Sequence, residues 1–182
     1  YLRKISDVVD IHAQLDSAKD IVLIGGGYIG LEVASAMVDL GLNVTIIETE
    51  DRILKRVTSP ELSNFYQSTH EAKGVRIICN ARVNGLIADN QIINCVELES
   101  GETILADAVL AGIGAIPNTQ LAEKAGLDCN NGIATDQYCR TNNPHVLAAG
   151  DCANSFNALL NQNIRLESVP NALSQAKVVS SS

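Results

Sequence analysis

The sequence predicts an α/β fold: a central parallel sheet with an antiparallel β-meander, followed by a second segment of different texture. Three observations carry that expectation. The compact apolar run Ile21-Val22-Leu23-Ile24 stops at a triple glycine and gives way to a helical pattern. A second β-branched run, Asn43 to Glu48, follows within about 30 residues, the span of a βαβ unit with its right-handed crossover. Beyond Gly74 the helical period yields to short β-rich runs separated by turn residues.

Taken in order, Ser6 to Leu15 carries Val8, Val9, Ile11, Ala13 and Leu15 behind Ser6, a helix with a hydroxyl at its cap. Ile21 to Ile24 is the strand, ended by Gly25-Gly26-Gly27. A helix begins near Tyr28, with apolar positions Leu31, Val33, Ala34, Met37, Val38 and Leu40, and Gly41 supplies a left-handed stop. Asn43 to Glu48 is the second strand. Ser59-Pro60-Glu61 opens another helix, with the serine placed to cap and the glutamate near the positive end of the dipole; Gly74 closes it. Val75 to Ile78 is a third parallel strand. Runs 81–88, 91–98 and 103–104, parted by Asp89-Asn90 and Ser100-Gly101, are antiparallel hairpins. Residues 108–114 return as a buried strand. After Pro117-Asn118 come a short helical patch from Thr119 to Ala125, an Asn131-Gly132 turn, and a buried strand Val146 to Ala149 that ends in Gly150-Asp151. The expected boundary lies near 117.

Composition narrows the function classes. With 46% hydrophobic residues, 182 residues suffice for a full core. A formal net charge of −8 repels a phosphate backbone, so nucleic acid is not an expected partner. No apolar run approaches the roughly 20 residues that cross a bilayer, the N-terminus lacks a signal-peptide core, and the chain reads as cytoplasmic. The five cysteines include no CxxC pair and read as small apolar packers in a reducing compartment. His12, His70 and His145 have no metal-ligand spacing. A start at Tyr1 instead of Met and an end at three serines suggest an excised fragment.

The glycine turn carries the chemistry. In Gly25-x-Gly27-x-x-Gly30, the first glycine permits the tight turn out of the strand. The second leaves room for a pyrophosphate at the backbone, and the third lets helix and strand approach. Gly26, Tyr28 and Ile29 complete the loop that presents free N–H groups and a helix dipole to that anion. Glu48 stands 23 residues after Gly25 at the tip of the next strand. There it either accepts the adenosine ribose hydroxyls or is a solvated strand-end glutamate. In the first role it repels a 2′-phosphate and favours NADH over NADPH, with Arg52 and Lys55 near enough in sequence to soften that repulsion. This places a Rossmann-like NAD(P)-binding domain in the first part of the chain.

The segments GGGYIGLEVASAM, SPELSNFYQSTHEAKGV, GIGAIPNTQLAEKAGL, TNNPHVLAAGDCA and RLESVPNALSQA together resemble the FAD-containing, NADH-dependent ferredoxin and rubredoxin reductases. These include the reductase components of bacterial dioxygenase and P450 systems, within the pyridine nucleotide-disulphide oxidoreductase superfamily. The resemblance implies an NAD(H)-binding domain at 1–117 and, at 118–182, the second segment of a discontinuous FAD-binding domain. It implies that Glu32 approaches the nicotinamide and the flavin edge, and that the Gly112-Ile113-Gly114 backbone lines the nicotinamide pocket. Gly150 and Asp151 then meet the flavin ribityl hydroxyls, although a carboxylate there also suits a turn cap. The helix that starts near Val169 aims its N-terminus at the flavin ring. The implied reaction is hydride transfer from NADH to FAD, then single electrons to ferredoxin or rubredoxin. Rivals are an NADH oxidase or a disulphide- or nitrite-reductase-type flavoprotein of the same superfamily, an apoptosis-inducing-factor-like module, and a stand-alone nucleotide-binding module.

Overall fold

In a computed structural model, which describes residues 4–90 and 92–181, the chain divides into two units, Tyr1–Gly114 and Ala115–Ser182. Residue 117 lies three positions inside the second unit. The run expected at 91–98 begins at Gln91, which, like the terminal Tyr1 and Ser182, lies outside the described residues.

The first unit opens with α1 (Ile5–Leu15). Its cap is Lys4, not Ser6: the Lys4 N–H donates to the Asp7 carboxylate at 2.7 Å. A carboxylate there also sets negative charge against the positive end of the helix, which a hydroxyl does not. Then follow β1 (Asp20–Ile24), α2 (Tyr28–Asp39), β2 (Asn43–Ile47), α3 (Pro60–Ala72) and β3 (Arg76–Ile78). At α3 the expected capping hydroxyl does not bond a helix N–H. Ser59 instead joins the Glu61 backbone N–H, the larger cause, in holding the Glu61 carboxyl below its ordinary value.

The meander β4 (Val83–Asp89), β5 (Ile92–Leu98) and β6 (Thr103–Leu105) precedes β7 (Ala108–Ala111). β3, β2, β1 and β7 form one parallel sheet in that order, with Leu23 opposite Ile46 and Leu110. Alternation along β1 sends its side chains to opposite faces. Ile21 and Leu23 join Leu31, Ala34, Val44 and Ile46 in one apolar cluster, while Val22 joins Ile47, Val96, Leu98 and Ile104 of the meander in another. β7 stops at Ala111, so Gly112, Ile113 and Gly114, expected within the strand, lie past its end; Ala108 to Leu110 are half-buried and Ala111 exposed, not buried as expected, because β7 forms one edge of the sheet.

The second unit holds α4 (Gln120–Lys124), β8 (Ile133–Thr135), β9 (Ala153–Asn157), β10 (Gln162–Ile164) and α5 (Val169–Ser180). β8 pairs parallel with β9, and β10 antiparallel to it. Asn131 and Gly132, both at positive φ, make the expected turn. The strand expected at Val146–Ala149 is absent. Val146 N–H donates to Asn143 O and Ala148 N–H to Cys139 O, leaving only an isolated bridge between Arg140 and Leu147. Apolar character at 146–149 serves burial inside a loop. Among the described residues no helix is long and apolar enough to cross a membrane.

Candidate functional site

The turn after β1 is built around four glycines. Gly25 has φ +107°, and a Cβ on it would stand 2.5 Å from the Gly112 carbonyl oxygen. Its N–H donates to Ile47 O at 2.8 Å, which carries the sheet one residue further, and Gly112 N–H donates to Ile24 O at 2.7 Å. A Cβ on Gly30 would lie 2.2 Å from Gly25 O, so helix and turn approach more closely than any side chain allows. Gly26 is buried, and a Cβ there would meet Ile53 at 2.8 Å. Gly27 differs: it caps α2 at φ −81°, has no capping side chain, and a Cβ there would meet nothing within 4 Å. At Gly27, therefore, bare backbone is not required by packing. The first-turn N–H groups above it have no partner inside the helix.

Glu48 follows β2 directly. One carboxylate oxygen accepts from Gly26 N–H at 2.7 Å, and the other from Glu50 N–H at 2.9 Å and the Thr49 hydroxyl at 3.2 Å. It is half-buried and clasps the turn, so it is not the bare solvated glutamate that sequence alone left open. Neither cation expected to soften it touches it. Arg52 bonds the Ser63 hydroxyl and the carbonyls of Lys55 and Thr58. Lys55 pairs with Glu50 at 2.9 Å and Asp51 at 3.3 Å, and both raise its pKa. Competing acceptors closer in the loop take both side chains.

Other contributors to this site were not visible in the sequence. Leu54 donates its N–H to Gly26 O at 2.9 Å while buried at φ +55°, a conformation that costs a leucine about 1 kcal/mol. The loop after β2 thus clamps the glycine turn, and the buried Ser63, whose hydroxyl donates to Ile53 O at 2.7 Å, anchors that loop to α3. Arg56 brings a guanidinium to within 3.8 Å of the point a Cβ on Gly114 would occupy. Tyr28, Ile29 and Ile113 are exposed around this surface, and Glu32 is exposed further along α2. Burial, then the Glu48 charge, pushes the Cys79 thiol up and keeps it protonated, which suits packing and not nucleophilic attack.

The second unit brings together a separate set. Gly150, at φ +82°, donates its N–H to the Gln175 side chain of α5 at 2.7 Å, and Gln175 donates onward to the Ser155 hydroxyl at 2.9 Å. Asp151 therefore ends a loop, not the expected strand. Its carboxylate is exposed and has no hydrogen-bond partner among the described residues, so it does not cap the turn. Val169 is the first residue of α5, Pro170 sits in the first turn, and the Ser168 hydroxyl accepts from Asn171 N–H at 3.4 Å.

A strand, a side-chain-free turn, a helix N-terminus and a carboxylate at the next strand end define a Rossmann-like dinucleotide-binding architecture. Residues 1–176 match the family model for pyridine nucleotide-disulphide oxidoreductases. The chain belongs to that family. It is 43% identical over 181 residues to putidaredoxin reductase CamA of Pseudomonas putida, covering 98% of this chain and 43% of that protein. It is 41% identical over 182 residues to a rubredoxin-NAD(+) reductase of Pseudomonas putida, covering 100% of this chain and 47% of the relative. The crystal structure of the covalent putidaredoxin reductase–putidaredoxin complex superposes with a TM-score of 0.92 at 42% identity, over 100% of this chain and 44% of that one. The chain thus spans less than half the length of these relatives.

Proposed function

We propose that this chain is the NADH-binding part of a longer flavoprotein reductase that passes electrons from NADH through FAD to a ferredoxin or rubredoxin. In this reading residues 1–117 are the NAD(H)-binding domain and 118–182 the C-terminal segment of a discontinuous FAD-binding domain, working in the reducing cytoplasm, where its five free thiols stay reduced. The observation that carries it is the unfilled space at Gly27 over an uncapped helix start, with Glu48 fixed beside it.

The backbone of Gly25, Gly26, Gly27, Tyr28, Ile29 and Gly30 receives the diphosphate, with N–H groups and helix dipole supplying the positive field. Arg56 adds a cation to the same surface. Glu48, already accepting three hydrogen bonds, has one lone-pair position left for a ribose hydroxyl. Glu32 and the Gly112-Ile113-Gly114 backbone border the nicotinamide. In the second unit Gly150, Asp151 and Val169 face the flavin: the open carboxylate accepts from hydroxyls, and the start of α5 stabilises negative charge. FAD, when bound, would supply the coupling between a two-electron donor such as NADH and a one-electron iron–sulfur acceptor. The chain's residues bind, orient and set the electrostatics.

Gly27→Ala separates binding from folding. A methyl there meets nothing, so unfolding in urea shifts by less than about 1 kcal/mol, while calorimetric NADH affinity drops at least about tenfold. Equal NADH affinity in the variant sinks the diphosphate assignment. For the whole reaction, NADH-dependent cytochrome c reduction by full-length protein depends on added ferredoxin or rubredoxin; activity only with disulfides or oxygen overturns it.

A further inference from the structure

We propose that Arg165 is a positioning residue for the flavin, holding the Asp151 turn and the start of α5 in one fixed geometry without touching the cofactor itself. The proposal rests on the flavin reading above. Arg165 follows β10 directly, and its side chain is only 11% exposed. Its Nε donates to Asn131 Oδ1 at 3.3 Å and Nη2 to Ala115 O at 3.3 Å. Its Nη1 donates to Asp151 O at 3.1 Å and to the Glu167 carboxylate. One planar group therefore joins four separate stretches of the unit.

The site is built to receive it. A Cβ on Gly132 would stand 3.0 Å from Arg165 Cδ and 2.8 Å from Cys152 O, so the turn glycine leaves the space through which the arginine stem runs. β10 pairs with β9 in a fixed register, Ile164 opposite Ser155, which sets where the stem begins. The consequence falls on Asp151. Arg165 holds its carbonyl, Gln175 holds the preceding N–H, and Gly150 O accepts from Ala153 N–H at 3.0 Å. The backbone is held from three sides while the carboxylate stays open, as suits an acid presented to a ligand. Glu167, the other Nη1 partner, directly precedes Ser168, the cap of α5.

A lysine cannot replace this fork, since one ammonium reaches neither the spread nor the planar geometry of three guanidinium nitrogens. The test uses full-length protein stripped of flavin, comparing wild type with Arg165→Lys and Arg165→Gln. Four quantities are read: FAD affinity by flavin fluorescence, flavin midpoint potential, melting of the apoprotein, and calorimetric NADH affinity. The expected result is an FAD Kd raised about tenfold or more, with a shifted potential, while apoprotein melting and NADH affinity stay as in wild type. Unchanged FAD affinity and potential in both variants overturn the role. So does a loss of FAD affinity accompanied by a matching fall in apoprotein melting, which marks a merely structural arginine. Should both fail to fold, Asn131→Gly removes the Nε acceptor while keeping the positive φ of that turn position: an FAD Kd raised about threefold supports the role, and an unchanged one overturns it. If wild type itself takes up no FAD, the flavin reading falls and this role with it; uptake by wild type and all variants alike sinks the role alone.

Discussion

Residues 4–114 bury two apolar clusters on opposite faces of a parallel sheet. In residues 115–181 the buried apolar side chains are few and mostly small, Ala122, Leu127, Cys139, Ala148 and Ala153. There, side-chain amides reach backbone carbonyls instead: Asn142 to Gly126, Asn154 to Asn130, Asn163 to Asn154 and Asn171 to Leu166. Burial is non-directional and contributes about 1.5–3 kcal/mol per large side chain. A hydrogen bond contributes about 1 kcal/mol net but fixes geometry, and losing one partner costs more than the bond was worth. The first unit gains its stability from volume, the second its shape from direction.

The difference can be pressed experimentally, beginning where the effect is largest. Ile46 is wholly buried at the centre of the sheet, so Ile46→Ala lowers unfolding free energy by about 4 kcal/mol, measured by urea denaturation. A loss below about 1 kcal/mol would contradict a volume-held first unit. Gly25→Ala strikes the turn instead: positive φ and the Gly112 carbonyl together cost about 3 kcal/mol and abolish NADH binding, read by calorimetry. In the second unit, Asn154→Ala leaves the Asn130 carbonyl without its donor and costs about 1.5 kcal/mol, with faster hydrogen exchange confined to residues 128–164. Exchange spreading evenly through the sheet of the first unit would erase the distinction.

The smallest effect is the most diagnostic of sign. The Asp107 carboxylate accepts from Lys19 N–H at 2.7 Å and Asp20 N–H at 2.9 Å. The Asp20 bond first, then the Lys19 bond, holds its carboxyl below its ordinary value. A folded pKa below the unfolded one means stability present above about pH 3.9 and lost as pH falls through the folded value. Asp107→Ala therefore lowers stability at pH 7 by less than about 1 kcal/mol, since solvent screens this exposed carboxylate, and the gap from wild type closes in acid below about pH 4. A gap that widened in acid would reverse the assignment.

These two modes of construction also explain what the sequence disclosed. Ile21 to Ile24, Asn43 to Ile47 and the meander carry periodic apolar signals, and the observed strands agree within a residue or two. β9, with the sequence ANSFN, and β10, QNI, carry none, because their contacts run through amides with no periodic signature. At Val146–Ala149 the opposite happened, an apolar run that is loop. The glycine turn was legible because close backbone approach demands a particular residue type. The clamp by Leu54, the partners of Arg52 and the four-way reach of Arg165 depend on where long loops return, which spacing does not encode.

Glu48 has a practical corollary for anyone seeking to change which coenzyme such a protein accepts. Its Oε2 is the acceptor for the buried Gly26 amide, so exchanging the acid for a small or cationic residue, to remove the repulsion that the proposed ribose role assigns to it, also strands that amide. A redesign succeeds only if the newcomer, or a neighbour at position 49 or 50, offers Gly26 a replacement oxygen. In the proposed ribose role, selectivity and loop rigidity run through one side chain and must be re-engineered together.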